Sequence, residues 1–155
     1  MGIEENKAIV QRYYDHVSRG ERADADALFA DDATWWVAGV PERLPIAGQR
    51  TLTEHRAMLR DQIAPHLSNG VRTTVTGMTA EGDRVAVEME NYARTASGKI
   101  YNNRFHLLFE IRNSRIHAVR EYLDTLHAED ALLDGRTGRA SARCTSRTSK
   151  STCLN

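Results

Sequence analysis

Tyr101-Asn102-Asn103-Arg104-Phe105-His106-Leu107-Leu108-Phe109-Glu110-Ile111-Arg112, with Ile116-His117-Ala118-Val119-Arg120-Glu121-Tyr122-Leu123 after the pair Asn113-Ser114, decides the fold. In the first run Asn103, Phe105, Leu107, Phe109 and Ile111 share one face, while Asn102, Arg104, His106 and Glu110 mostly take the other. That is the period-two pattern of a strand. The second run is rich in β-branched and aromatic residues, so the two form a long antiparallel hairpin. A hairpin does not bury its own apolar face, and strands well beyond about six residues curl as they twist. The expectation is a curved sheet wrapped around a core.

Working outward, Val71 to Ala80 and Val85 to Ala93 read as two more strands, joined by a tight turn at Glu81-Gly82-Asp83 and followed by a loop at Thr95 to Gly98. The first half of the chain is different. From Glu4 to Arg19 the residues Ile9, Val10, Tyr13, Tyr14 and Val17 fall at helical spacing, and Gly20 ends the helix. A short helix is expected from Ala23 to Phe29, with Asp24 as its cap, then a break at Asp31-Asp32 and a strand at Thr34-Trp35-Trp36-Val37. Gly39, Pro41, Pro45 and Gly48 mark a loop. Thr51-Leu52-Thr53-Glu54 is a capping box that starts a third helix, running through Met58 and Leu59 to about Ile63 and stopped by Pro65. Helices followed by a strand meander predict an α+β domain with the helices against one face of an antiparallel sheet.

At 155 residues, 41% hydrophobic and 27% charged, the chain suits one domain, here 1–134, with a polar basic tail over 135–155. The tail has no periodicity and is expected to be flexible and dispensable for folding. It concentrates Arg136, Arg139, Arg143, Arg147 and Lys150, so a formal net charge of zero leaves the body mildly acidic. No basic patch with interleaved aromatics marks the body, which argues against nucleic-acid binding. No apolar run is long enough for a bilayer, and the N-terminal residues lack the pattern of a signal peptide, so a cytoplasmic protein without membrane contact is expected. Both cysteines, Cys144 and Cys153, lie in the tail and read as reduced, incidental thiols.

The order of elements, with Ile9-Val10-Gln11-Arg12-Tyr13, Leu28-Phe29-Ala30-Asp31-Asp32-Ala33-Thr34 and Arg120-Glu121-Tyr122-Leu123-Asp124, resembles the ketosteroid-isomerase and nuclear-transport-factor-2-like superfamily in its SnoaL-like branch. The resemblance covers about Glu4 to Leu133. It implies a cone-shaped curved antiparallel sheet closed by three N-terminal helices, a cystatin-like α+β barrel around a deep, mostly apolar pocket. It also implies homodimerisation through the convex side of the sheet, where Leu108, Ala118 and Tyr122 supply apolar area between Arg104, Glu110 and Arg120. Carried over by position, it turns Tyr13, Trp35, Val37, His55, Met89, Asn91, Phe105, Leu107, Val119 and Glu121 inward. With Phe105 and Glu121 on one face, the turn at Asn113-Ser114 has to be bulged, because a plain two-residue turn pairs Glu121 with His106. Among the family's chemistries, Tyr13 matches the isomerase tyrosine, but Val37 and Leu107 stand where that enzyme's two aspartates belong. The Asp-Arg-Asp set of the limonene-epoxide-hydrolase branch falls on Asn91, Met89 and Glu121 and lacks its arginine. In the polyketide-cyclase branch a pocket acid is the catalyst, a role open to Glu121.

The candidate catalytic residues are therefore Glu121, His55, Tyr13 and Asn91. A carboxylate in an apolar pocket has a raised pKa and serves as acid or base near neutral pH; on the opposite parity Glu121 is a solvated sheet residue. His55 either assists it or is a core histidine. Tyr13 and Tyr14 are adjacent on the first helix, so one of them faces the cone. Asn91 either orients a ligand or ties a strand end to a loop. Trp35, Val37, Met58, Met89, Phe105, Leu107 and Val119 are the expected apolar ligand wall. His16, His66, His117 and His127 have no spacing that places three metal ligands on one element, and there is no phosphate loop or nucleophile elbow. Neither metal nor cofactor is expected. What remains is a pocket for a small hydrophobic or aromatic molecule, either a cofactor-free isomerase, cyclase or hydrolase working by proton transfer or a non-catalytic binding or dimerisation module.

Overall fold

The structure is a computed structural model and describes residues 2–133. The expectations for the tail over 135–155, including Cys144 and Cys153, lie outside the described residues.

The chain starts with α1 (Ile3–Ser18), whose buried stripe of Asn6, Ile9, Val10, Tyr13 and Tyr14 follows the helical period. Gly20 takes φ +73°, the left-handed conformation that ends a helix without a Cβ clash. The next helix, α2 (Arg22–Asp26), is shorter than expected and has Glu21, not Asp24, at its cap position. Phe29 opens strand β1 (Phe29–Val37) instead of closing that helix. A short edge strand with no pattern of its own, β2 (Gly48–Thr51), leads directly into α3 (Leu52–Met58). The capping box is present: Thr51 Oγ1 accepts from the Glu54 amide at 3.2 Å, and a Glu54 carboxylate oxygen accepts from the Thr51 amide at 2.8 Å. The helix widens into a π-helical turn over Leu59–Ile63 and tightens over Ala64–His66, where Pro65 stops it.

Four long strands follow: β3 (Arg72–Glu81), β4 (Arg84–Arg94), β5 (Ile100–Arg112) and β6 (Arg115–Leu123). The sheet order is β2-β1-β6-β5-β4-β3. The fold is α+β with a curved sheet, as the sequence predicts, and β2 brings the sheet to six strands where the sequence shows five. Three details differ. The sheet is mixed, because β1, between β2 and β6, runs parallel to β6. It is open, not closed into a barrel. A fourth helix, α4 (Thr125–Leu132), follows β6, with Asp124 as its cap and Ala128, Ala131 and Leu132 buried.

The β5–β6 connection fixes which residues face the helices. Asn113 and Ser114 both take positive φ, 50° and 60°, so the turn is a regular two-residue one with Arg112 opposite Arg115. The bulge expected at the turn sits three residues past Ser114, at His117. Ile116 lies opposite Ile111 and Ala118 opposite Glu110, leaving His117 as the extra residue. This shift places Glu121 opposite Leu107 instead of His106. On the resulting inner face Val85, Val87, Leu107, Phe109, Ile111, Ile116 and Val119 are no more than 1% exposed.

Candidate functional site

Trp35 is the hub of the inner face. β1 turns its side chain inward, where it is 4% exposed, and register sets Trp35 beside Val119 and Val37 beside Glu121. The indole Nε1 donates to Glu121 Oε2 at 2.7 Å. His55, 2% exposed on α3, stacks on the indole, with ring centroids 4.5 Å apart and planes 9° apart. The Arg56 guanidinium lies 5.6 Å from the centre of the Trp35 ring and 5.9 Å from that of Tyr13. Arg56 Nη2 donates to the Tyr13 hydroxyl at 3.4 Å, and its Nε donates to Asp26 Oδ1 at 3.0 Å. A connected cluster therefore runs from Asp26 on α2 through Arg56, Tyr13 and Trp35 to Glu121.

The electrostatics follow from burial. Glu121 keeps part of its surface, yet desolvation of the carboxylate dominates its titration and pushes it up to about 7, against the Trp35 hydrogen bond and the Arg56 charge, which favour the ionised form. His55 moves the other way, down to about 3, because burial and then the charges of Arg56, Arg50 and Arg22 oppose a second proton. It is neutral under ordinary conditions, and its Nδ1 is buried without a hydrogen-bond partner. A carboxyl group poised near neutrality is equipped to exchange a proton, and the neutral imidazole touches the same Trp35 ring that holds it.

The sequence candidates separate in space. Glu121, His55 and Tyr13 gather around Trp35. Asn91 does not join them: it stands opposite Asn103, four residues along from the Leu107–Glu121 pair, about 13 Å at strand spacing, and its Oδ1 accepts from Thr73 Oγ1 at 2.7 Å. Both tyrosines, not one, point into the core. Tyr13 is engaged by Arg56, whereas the Tyr14 hydroxyl is buried without a partner. Of the expected ligand wall, Val37, Leu107 and Val119 are 1% exposed, Trp35 and Met58 are 4% and 5%, and Phe105 and Met89 are 6% and 8%. Phe109 and Phe29 pack with Tyr13 and Trp35 at ring distances of 5.5–6.4 Å, filling much of the space between helices and sheet.

Arg56 and Asp26 were not legible as site residues, since an Arg on a helix and an Asp 30 residues earlier carry no shared spacing. Trp35 was legible only as apolar wall; its role as donor depends on ring orientation. Among the described residues, His16, Glu21 and Asp24 bring ligand-type atoms within 4.8 Å of one another. That group is internally paired: Glu21 Oε2 already holds His16 Nδ1 at 2.6 Å and Arg19 Nη2 at 2.9 Å.

Comparison with known proteins agrees with this architecture. The fold is similar to an NTF2-like protein from Burkholderia xenovorans, 26% identical, with a TM-score of 0.67 over 85% of this chain and 98% of that one. It is also similar to Bal32a from a soil-derived mobile gene cassette, 23% identical, with a TM-score of 0.73 over 84% and 98% of the two chains. TerC, co-crystallised with polyporic acid, is 15% identical with a TM-score of 0.71 over 83% and 98%. No curated protein matches the sequence significantly. The model of the SnoaL-like domain matches residues 10–119, the span that carries the second half of α1, the Trp35 strand, α3 and all but the end of the sheet. The chain belongs to the SnoaL-like domain family, within the NTF2-like superfamily.

Proposed function

We propose that this protein binds a small hydrophobic molecule and carries out a cofactor-free proton transfer on it, of the isomerase, cyclase or hydrolase kind, with Glu121 as acid and base. The observation that carries the reading is the Glu121 carboxyl group, hydrogen-bonded to the Trp35 indole and poised at about 7. Since an indole N–H only donates, it leaves the other carboxyl oxygen for the exchangeable proton. Arg56 opposes the rise of that pKa and so sets the balance between acid and base forms. His55, neutral and unpartnered at Nδ1, is the assisting hydrogen-bonding group. Tyr13 acts through Arg56, and Asn91, bound to Thr73, orients the far end of the ligand. TerC, with polyporic acid, is a precedent for a small ligand on this fold.

The test starts with native mass spectrometry of the purified protein to identify a retained ligand, followed by hydrogen–deuterium exchange into that ligand in D2O. Glu121→Gln keeps shape and the Trp35 acceptor; turnover should fall by roughly a hundredfold or more with ligand affinity preserved. An unchanged rate would sink the proposal. Ligand retention without turnover in the unaltered protein would instead favour the binding-module reading.

The assembly proposed is a homodimer through the outer face of the sheet. Trp36 and Tyr122 meet edge to face there at 5.3 Å, Tyr122 is 44% exposed, and the charges between them are paired as Arg104–Glu90 and Arg120–Glu110. Grooves of about 610 and 340 Å³ flank Tyr122 on this face. No helix among the described residues is long and apolar enough to cross a membrane. A cytoplasmic setting suits a body in which residues 2–133 contain no cysteine.

A further inference from the structure

β3 closes one end of the sheet, and among the described residues no strand pairs with its outer edge. The opposite edge, β2, has four residues, a length that keeps an edge from pairing with another chain, whereas β3 has ten. From Thr73 to Ala80 the strand carries no charge and no proline, so two usual guards of an exposed edge are missing. Its apolar inward side chains, Val75, Met78 and Ala80, pack on the core but stay only half-buried, as the outermost strand has no neighbour to cover them. A groove of about 470 Å³ lies beside them, between the middle of β3 and the first half of α1.

The bulge in β3 decides what fits this edge. Against β4, Val75 lies opposite Met89 and Gly77 opposite Glu88, so Thr76 is the extra residue. Parity reverses across it: Thr73 and Val75 face inward before the bulge, Met78 and Ala80 after it. A second β3 laid antiparallel about a twofold axis at Thr76-Gly77 matches these two halves. Val75 then faces Met78 of the second copy, Thr73 faces Ala80, Thr74 faces Thr79 and Arg72 faces Glu81, so inward residues meet inward ones and outward residues outward ones. A slip of one residue sets outward Thr74 against inward Met78, or inward Val75 against outward Thr79; a slip of two sets Val75 against Thr76 or Met78 against Gly77. The ends of the strand agree with this register. Arg72 has no carboxylate partner among the described residues, its guanidinium lying 5.4 Å from the centre of the Tyr92 ring, and Glu81 meets Arg84 only at the surface, at 3.4 Å. The twofold axis gives both charges an opposite one across the contact, twice over.

We propose that β3 is a self-pairing edge, along which two copies of this chain join antiparallel and continue the sheet from one to the other. The contact uses neither Glu121 nor the outer face of the sheet. A contact one strand wide falls below the ~1,200 Å² of a standard interface, so it forms at protein concentrations far above micromolar and adds to the outer-face dimer.

Disulfide trapping reads the register directly. In full-length protein carrying Cys144→Ser and Cys153→Ser, the added pair Thr74→Cys and Thr79→Cys sets one thiol opposite the other across the axis. Within one chain the same positions are about 16 Å apart, too far to bridge. Both side chains are exposed, so the fold should tolerate the changes. Oxidation of the concentrated protein should give a covalent dimer from the double variant and none from either single one. Tyr122→Glu, which opens the outer-face dimer, and Glu121→Gln should both leave the trapping intact. Adding Arg72→Glu should slow it about tenfold by setting like charges across both ends, and adding Glu81→Arg as well should restore it. A double variant that stays monomeric leaves the edge to a strand of some other chain and overturns the proposal. So does cross-linking of the single variants, which assigns the contact to another face, loss of trapping with Tyr122→Glu, or failure of Glu81→Arg to restore what Arg72→Glu removes.

Discussion

Replacing Glu121 by glutamine should make the protein more stable at high pH and leave it nearly unchanged at low pH. The folded protein holds the Glu121 proton up to about 7, against an ordinary value of 4.5. Between those limits the native state binds more protons than the unfolded chain, so stability falls as pH rises through the window. At 1.36 kcal/mol per pKa unit the loss is about 3 kcal/mol, complete by about pH 8. The wild-type curve alone would conceal it, because His55 acts with the opposite sign over an overlapping range: it is depressed from 6.5 to about 3, and the unfolded chain takes up the proton that the folded one refuses. Stability linked to His55 therefore rises with pH between those values, and the two slopes partly cancel from 4.5 to 6.5. Subtracting the wild-type curve from that of Glu121→Gln removes the His55 contribution, since the imidazole is present in both. Urea unfolding of the two proteins at closely spaced pH provides the difference directly. It should be flat below about pH 4, climb in favour of the variant by about 3 kcal/mol, and level off near pH 8. A difference that stays within about 0.5 kcal/mol, the range of an ordinary surface substitution, would mean that the carboxylate is solvated, and the proton-transfer reading would fall with it.

His55→Phe preserves the stack on Trp35 and removes the titrating group, so the acid-side loss of stability, worth up to about 5 kcal/mol between pH 6.5 and 3, should largely disappear in acid titrations followed by circular dichroism. Arg56→Met keeps the aliphatic stem against Tyr13 and Trp35 but leaves Asp26 without its cation; stability should drop by about 1–3 kcal/mol, and the Glu121-linked inflection should move to higher pH because Arg56 favours the carboxylate. Sedimentation at micromolar concentration should give a dimer that Tyr122→Glu dissociates, and a clean monomer for the unaltered protein would refute the outer-face interface.

The period-two run through β5, the helical stripe on α1 and the Thr51–Glu54 capping box are local patterns, and they were enough to define the elements and the α+β class. Their information sits in neighbours two to four residues apart, where backbone geometry alone sets which side chains share a face. The same locality explains what was missed. β2 has no alternation of its own, and it exists because the β1 edge offers it hydrogen bonds at Thr34 to Val37. Glu121 faces the helices because one residue, His117, is extruded from the ladder. Sequence parity required a bulge somewhere in this hairpin but placed it at Asn113-Ser114, three residues before its actual position at His117.

The site itself was decided by the tertiary structure. Trp35 and Glu121 are 86 residues apart and meet because β1 runs parallel to β6, a pairing that neither strand's pattern encodes. Arg56 looks like any exposed cation on a short helix until the helix is laid across Tyr13 and Trp35 and Asp26 comes within 2.9 Å. The raised carboxyl of Glu121 and the depressed imidazole of His55 are consequences of that same packing, since desolvation depends on everything around a group and not on its neighbours in sequence. Residue order determined that a carboxylate, a histidine and one of two adjacent tyrosines were available to the inner face, and packing turned both tyrosines inward. Burial determined which of them could hold a proton near neutral pH, and which hydroxyl, that of Tyr14, was left without a partner.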